Sequence, residues 1–289
     1  MKLAVLIRAH QFSAQEALLA ERLEAAFKTS VIFVTDDTNG AVDTGRFAKI
    51  GIHKYRVREL IGGRILPQWG WQFGDVFYYA AAEALPHTTH FALIESDVYA
   101  SPKGAERLAE VLMAGKEDIL SPRLEHTDSP PTSSKDLDQL GLKNTVTSFF
   151  PITRVSRKAL DLMQALRRRE RETPRLRIND EAILASIALG PDVTSLNLTQ
   201  SAPDLFDPEG FTTERTQLFE HLSEAHHGTA LLHPVRTVKA LLSRIDEFGG
   251  ARNFRRRYRE AIEQAAPRHR QKLRRALAAA DERRKQRLG

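Results

Sequence analysis

The sequence predicts an α/β fold with a mostly parallel central sheet flanked by helices, followed by a basic helical C-terminal extension. Three observations predict it. Apolar, β-rich runs alternate with stretches of helical apolar spacing from residue 2 to residue 114, the order that builds parallel sheets. The run FALIESDV from Phe91 to Val98 is apolar until it ends in two carboxylates one residue apart, Glu95 and Asp97, as a strand does when its carboxyl end opens into a ligand crevice. Finally, 14 Lys and Arg face 4 Asp and Glu between Arg252 and Arg287, so this segment carries +10 of a chain whose net charge is +6.

The elements follow in order. Residues 2–8 read as a first strand, 13–28 as a helix and 30–35 as a second strand, which ends in the turn-forming sequence Asp36-Asp37-Thr38-Asn39-Gly40. A third strand is expected at 50–57, a helix at 73–85 and the acidic strand at 91–98. Ser101-Pro102 then opens a helix to about residue 114, with Ser as cap and Pro at the first helical position. Further strands are expected at 118–122, 145–152 and 192–198, with helices at 156–172 and 180–189. Residues 125–143, rich in Ser, Pro and Asp, read as a long loop of the kind that forms lids or binding loops, and a second loop spans 200–213. The tail, rich in helix formers and interrupted by Pro267, reads as two helices. The expected division is an α/β body at 1–240 and the basic extension at 241–289.

Composition narrows the class. At 289 residues and 42% hydrophobic content the chain can bury one large core. No apolar stretch reaches the ~18 residues needed to span a bilayer, and the N-terminus lacks the regions of a secretory signal, so a cytoplasmic location is expected. With no cysteine there are no disulfides, zinc thiolates or thiol nucleophiles. After the first strand comes Arg8-Ala-His-Gln-Phe-Ser13 without a glycine, which argues against a G-x-G-x-x-G dinucleotide turn, and no G-x-x-x-x-G-K-[ST] loop occurs.

The segment Glu95-Ser96-Asp97, after strand, helix, strand and helix, resembles the acid-x-acid (DxD) element of GT-A type glycosyltransferases, with Glu in place of the commoner first Asp. The resemblance covers residues 1–240, which would be the nucleotide-sugar-binding and catalytic domain, and implies a Rossmann-like, GT-A-like sheet. It also implies an enzyme that moves a sugar from a nucleotide-diphosphate donor, a UDP-sugar first among the choices, to an acceptor hydroxyl. Glu95 and Asp97 would hold Mn²⁺ or Mg²⁺ against the diphosphate, and His233 in the sequence Leu231-Leu-His-Pro-Val-Arg236 would be a further ligand, with His226 and His227 as other choices. Arg236 would approach the diphosphate. Arg8, His10 and Asp36 would line the nucleoside pocket, and Gln72 and Asp75 would meet the donor from the following helix. Asp180 or Glu181, opening the helix at 180–189, would be the general base of an inverting reaction.

Each of these residues also has a plainer reading. Asp36 and Asp37 form an Asx turn in any case. Of Trp69 and Trp71, at least one belongs to a core, although an exposed aromatic would stack on sugar. Asn179, Asp180 and Glu181 suit a helix N-terminus as caps. The basic tail is either a solvated helical appendage, with Phe254, Tyr258, Ile262, Leu273 and Leu277 packed inward, or a surface for anionic membrane at the inner face, nucleic acid being the less suited partner. A bacterial role in polysaccharide or lipopolysaccharide synthesis follows from the class alone. The alternatives are a sugar nucleotidyltransferase, which the missing glycine-rich loop argues against, and a noncatalytic protein acting through its tail.

Overall fold

The computed structural model describes residues 1–63, 65, 69–129, 131–173, 175–248 and 252–288. The chain divides into two compact units, one formed by Met1–Ser96 with Glu106–Pro203, the other by Asp97–Ala105 with Asp204–Gly289.

In the first unit the chain runs β1 (Leu3–Ala9), α1 (Ala14–Phe27), β2 (Val31–Asp36), β3 (Ala48–Ile52), α2 (Lys54–Ile61), α3 (Trp69–Gln72), α4 (Asp75–Ala84) and β4 (His90–Glu95). There follow α5 (Pro102–Ala114), whose residues up to Ala105 belong to the second unit, β5 (Ile119–Ser121), β6 (Glu125–His126), β7 (Val146–Thr147), β8 (Ile152–Ser156), α6 (Arg157–Glu172), α7 (Asp180–Ala188), β9 (Ser195–Asn197) and α8 (Leu198–Ser201). The central sheet has seven strands in the order β3-β2-β1-β4-β8-β5-β9. β8 alone runs against its neighbours β4 and β5, and all other pairs are parallel. This is the mostly parallel central sheet flanked by helices that the sequence implies.

The middle strands are buried on both faces. Val5, Leu6, Ile7, Val31, Phe33, Val34, Phe91, Leu93 and Ile94 are all wholly inaccessible, as helices on either side of a parallel sheet require. The strand order reverses at β1, which has β2 on one side and β4 on the other. Crevices for ligands form outside the carboxyl ends of strands at such a switch point. There, Arg8 of β1 and Glu95 of β4 are paired in register. Ser96 seals the turn, its N–H donating to the Arg8 carbonyl at 3.1 Å while Gln15 Nε2 donates to its carbonyl at 3.2 Å.

Three expectations are corrected. The third strand stops at Ile52, and residues 54–61 are helical. His53 is extended and accepts from the Arg56 N–H, and Val57, Leu60 and Ile61 share one buried helical face, so the apolar spacing there is that of a helix. The strand expected at 145–152 is two strands. Residues 146–147 pair with β6, and the central antiparallel strand begins only after Pro151, which has no N–H to give a ladder. The loop at 125–143 contains two 3₁₀ turns, Thr132–Ser134 and Leu137–Leu140, because Leu137 and Leu140, three apart, are both buried.

In the second unit β10 (Gln217–Leu218) pairs in parallel with β11 (Val235–Arg236), with α9 (Phe219–Ala225) between them. The chain ends in α10 (Val238–Phe248), α11 (Arg252–Gln264) and α12 (Pro267–Leu288). As expected, Pro267 separates two tail helices. Tyr258, Ile262 and Leu273 are buried with Leu218, Val238, Leu241 and Ile245, and Leu277 packs at their edge. The side chain of Phe254, expected beside them, lies outside the described residues.

Candidate active site

In the first unit the site grows from the switch point. Arg8 reaches from β1 with its side chain only 11% exposed. Its Nη2 pairs with Glu95 Oε1 at 3.0 Å and its Nη1 with Asp180 Oδ2 at 3.2 Å, so one guanidinium joins two carboxylates from distant parts of the chain. The guanidinium carbon lies 5.4 Å from the centre of the Phe77 ring and 5.9 Å from that of Phe150, which limit where it can move.

Asp180 is the first residue of α7. Asn179 is the cap, its Oδ1 accepting from the Ala182 N–H at 2.9 Å, which leaves the Asp180 carboxylate for other partners. Oδ1 of Asp180 accepts from the Glu181 N–H at 3.0 Å and Oδ2 from the Gly74 N–H at 2.9 Å. Burial pushes the Asp180 carboxyl up to about 7; the Arg8 guanidinium opposes the rise, and the negative charges of Glu181, Asp75 and Glu95 add to it. Burial also raises Glu181, against the hydrogen bond from Asn179 Nδ2 at 3.0 Å. An acid held near neutrality at the mouth of a sheet can exchange a proton with a hydroxyl at physiological pH.

The other expected donor-side residues occupy different environments. Asp36 ends β2, and its Oδ1 accepts from the Thr38 N–H at 3.0 Å in an Asx turn; a Cβ added to Gly70 would lie 3.0 Å from its Oδ2, so the α3 turn sits against it. His10 is exposed just past β1, and Gln72 is half-buried at the end of α3. Of the two tryptophans, Trp69 is core, stacked 5.5 Å from Phe77, and Trp71 is 75% exposed. Asp75 is wholly buried. Arg167 forks onto it through Nε at 2.8 Å and Nη2 at 3.0 Å, and the Tyr79 hydroxyl adds a bond at 2.8 Å, so it anchors the start of α4 from inside.

Asp97, Arg236 and His233 come together within the second unit. Asp97 Oδ2 accepts from Arg236 Nη2 at 2.9 Å, and Asp97 Oδ1 lies 3.3 Å from His233 Nε2. The Asp97 carbonyl accepts from the Val235 N–H at 2.8 Å, which ties the acidic turn to the strand that carries Arg236. His233 is 5% exposed and its Nδ1 lies 3.1 Å from the Thr212 carbonyl, a bond that turns Nε2 toward Asp97. His226 faces Tyr99 and bonds the Ala230 carbonyl at 2.9 Å, and His227 is exposed.

Sequence reasoning missed Gly74, Phe150 and the partnership of Arg167 with Asp75. No local signal marks the last, whose members are 92 residues apart. Gly74 stands between the tryptophan segment and α4, and its meaning emerges only from what crowds it: a Cβ there would fall 1.7 Å from Arg8 Nη1 and 2.2 Å from Asp180 Oδ2.

Among the described residues no helix is long and apolar enough to cross a membrane. No family model matches the chain. No curated protein matches it either. Among solved structures it is similar to a glycosyltransferase involved in the glycosylation of the major capsid of PBCV-1, with 12% identity over 80% of this chain and 93% of that one and a TM-score of 0.39. It is also similar to mannose-1-phosphate geranyltransferase from Thermus thermophilus, with 12% identity over 69% of this chain and 70% of that one and a TM-score of 0.31.

Proposed function

We propose that this chain is a GT-A type glycosyltransferase that moves a sugar from a nucleoside-diphosphate donor, a UDP-sugar first among the choices, to an acceptor hydroxyl with inversion at the anomeric carbon. The observation that carries the proposal is the placement of Arg8, Glu95 and Asp180 at the switch point of the sheet, with Asp180 held near neutrality.

In this reading Asp180, with Glu181 beside it as the second choice, takes the proton from the acceptor hydroxyl as its oxygen attacks the anomeric carbon. The nucleoside diphosphate departs from the opposite face. His10, Asp36 and Gln72, around the carboxyl ends of β1 and β2, are assigned to the nucleoside side, and Arg236 to the diphosphate, which an arginine fork suits. Glu95, the last residue of β4, Asp97, two positions on in the turn that follows, and His233 beside Asp97 are assigned to a divalent cation. Two carboxylates and an imidazole, in a chain without thiolates, form a donor set suited to Mn²⁺ or Mg²⁺. Such an ion, when bound, offsets charge on the departing diphosphate.

The transfer machinery is assigned to residues 1–240 and an accessory role to residues 241–289. In α12, Arg268, Lys272 and Arg275 are exposed at helical spacing while the apolar side chains of these helices face one another, so contact with an anionic membrane surface would be electrostatic. Vesicle binding that needs anionic lipid and weakens with salt is the expected behaviour, and equal or tighter binding to nucleic acid would reverse the assignment.

The test of the function is transfer from candidate nucleotide sugars with the anomeric configuration of the product read by NMR. Inverted product is expected. Retained configuration would remove the base assignment, since a retaining enzyme needs no such base, and release of pyrophosphate from a nucleoside triphosphate would favour a nucleotidyltransferase instead.

A further inference from the structure

Resting on the transferase reading, we infer that Arg8 is a positioning residue that ties the base Asp180 to the acidic turn at Glu95, and that Gly74 is the glycine that leaves room for the tie. The assignment gives Arg8 a different duty from lining the nucleoside pocket.

The geometry is specific. Arg8 divides its two terminal nitrogens between Glu95 at 3.0 Å and Asp180 at 3.2 Å, and the rings of Phe77 and Phe150 bound its guanidinium. Gly74 has φ −59° and ψ −23°, ordinary helical values that alanine adopts at a smaller entropic cost. Conformation therefore gives no reason for a glycine there. Space does, because an added methyl would fall on Arg8 Nη1 and Asp180 Oδ2. The backbone N–H of the same residue donates to Asp180 Oδ2 at 2.9 Å, so the carboxylate is held from two sides by a contact that only glycine permits.

The charged groups around Asp180 are Arg8 from β1, Glu95 from β4, Asp75 from α4 and Glu181 from its own helix. Among the described residues Arg8 is the cation that touches Asp180, and Arg167 lies one step away, paired with Asp75. Removal of Arg8 leaves three acids facing the base, so the proton on Asp180 should be held to higher pH, and the carboxylate loses the partner that aims it.

The test uses the full-length protein with Arg8→Gln, Arg8→Lys and Gly74→Ala, under transfer assay with Mn²⁺ and, separately, in metal-free thermal melts across pH. Arg8→Gln should lower kcat about 10–100-fold, as a small misplacement of a reacting group does. The donor KM should stay within about threefold, and the rise of kcat/KM with pH should move to higher pH. Arg8→Lys should recover part of the loss, and Gly74→Ala, whose methyl must push aside the Arg8 guanidinium and the Asp180 carboxylate, should reproduce it, the melts showing that the variant still unfolds cooperatively. In the metal-free melts the Asp180-linked loss of stability with rising pH should extend further upward in Arg8→Gln and vanish when Asp180→Asn is added. A raised donor KM with kcat retained would mean that Arg8 contacts the nucleotide directly and would overturn the inference, as would an unmoved pH profile. If the parent protein transfers no sugar at all, the transferase reading fails, while the metal-free melts still decide whether Arg8 governs Asp180.

Discussion

Asp75 and Asp180 each open a helix, each is buried, and each is paired with an arginine from far along the chain, yet their surroundings prepare them for different work. Asp75 receives both arms of Arg167 and the Tyr79 hydroxyl, with Glu170 completing the charge balance of Arg167 at 3.2 Å. Asp180 receives a single N–H from an arginine it shares with Glu95, and three acids surround it. The lesson is that burial of an acid and an arginine partner do not distinguish an anchor from a chemical group. Each accepts three hydrogen bonds among the described residues, so what distinguishes them is charge: Asp75 takes two arms of an arginine, whereas Asp180 takes one, shared with Glu95, and lies near further acids.

The contrast breaks most directly by substitution. Asp180→Asn should lower turnover by about 10²–10⁴-fold, the usual contribution of a general base, while the melting temperature at pH 8 is kept or raised because a buried charge is gone. If Glu181→Gln instead gives the large loss, the base is the neighbouring acid. Arg167→Met should do the opposite kind of damage, costing about 3–5 kcal/mol in denaturant unfolding because it leaves Asp75 buried without its partner. A fully stable Arg167→Met protein would show that Asp75 is not the anchor its contacts make it.

How much of this was legible in the sequence depends on the range of the interactions. The alternation of strands and helices, the acidic end of β4, the cap at Asn179 and the break at Pro267 all rest on neighbours a few residues apart, and these could be read. The antiparallel strand after Pro151 and the helix after His53 escape such local signals, because short apolar runs fit either period and nothing in a run tells its direction in a sheet. Arg167 meets Asp75 across 92 residues and Arg8 meets Asp180 across 172, so both pairings are products of the fold. Asp75 and Asp180 therefore look alike as sequence, each an acid in the first turn of a helix.

The same contrast between anchor and open group recurs on a smaller scale in the tryptophans. Trp69→Ala should cost about 3–5 kcal/mol, as loss of a large core ring does. Trp71→Ala should change stability by less than about 0.5 kcal/mol, as exposed positions do, and parallel denaturation curves would decide both.

A gentler probe is pH. Asp180 keeps its proton in the folded protein up to about 7, against 3.8 for the unperturbed side chain. Between those values the folded state binds more protons than the unfolded one, so stability should fall as pH rises through this window and level off above it. Over the same range kcat/KM should climb, since only the ionised carboxylate accepts a proton. Both trends should disappear in Asp180→Asn, and a stability profile unchanged by that substitution would argue that Asp180 titrates as an ordinary surface acid.

The proposed binding of a nucleoside diphosphate at the acidic turn can be checked by thermal shift. The protein would be melted with UDP, GDP, CDP and ADP, each with and without Mn²⁺, beside the Asp97→Ala variant. A ligand that binds only the folded state raises the melting temperature by mass action. Stabilisation by one nucleoside diphosphate that requires Mn²⁺ and is lost in the variant is the predicted result. Melting temperatures unmoved by all four nucleotides in the presence of Mn²⁺ would contradict it.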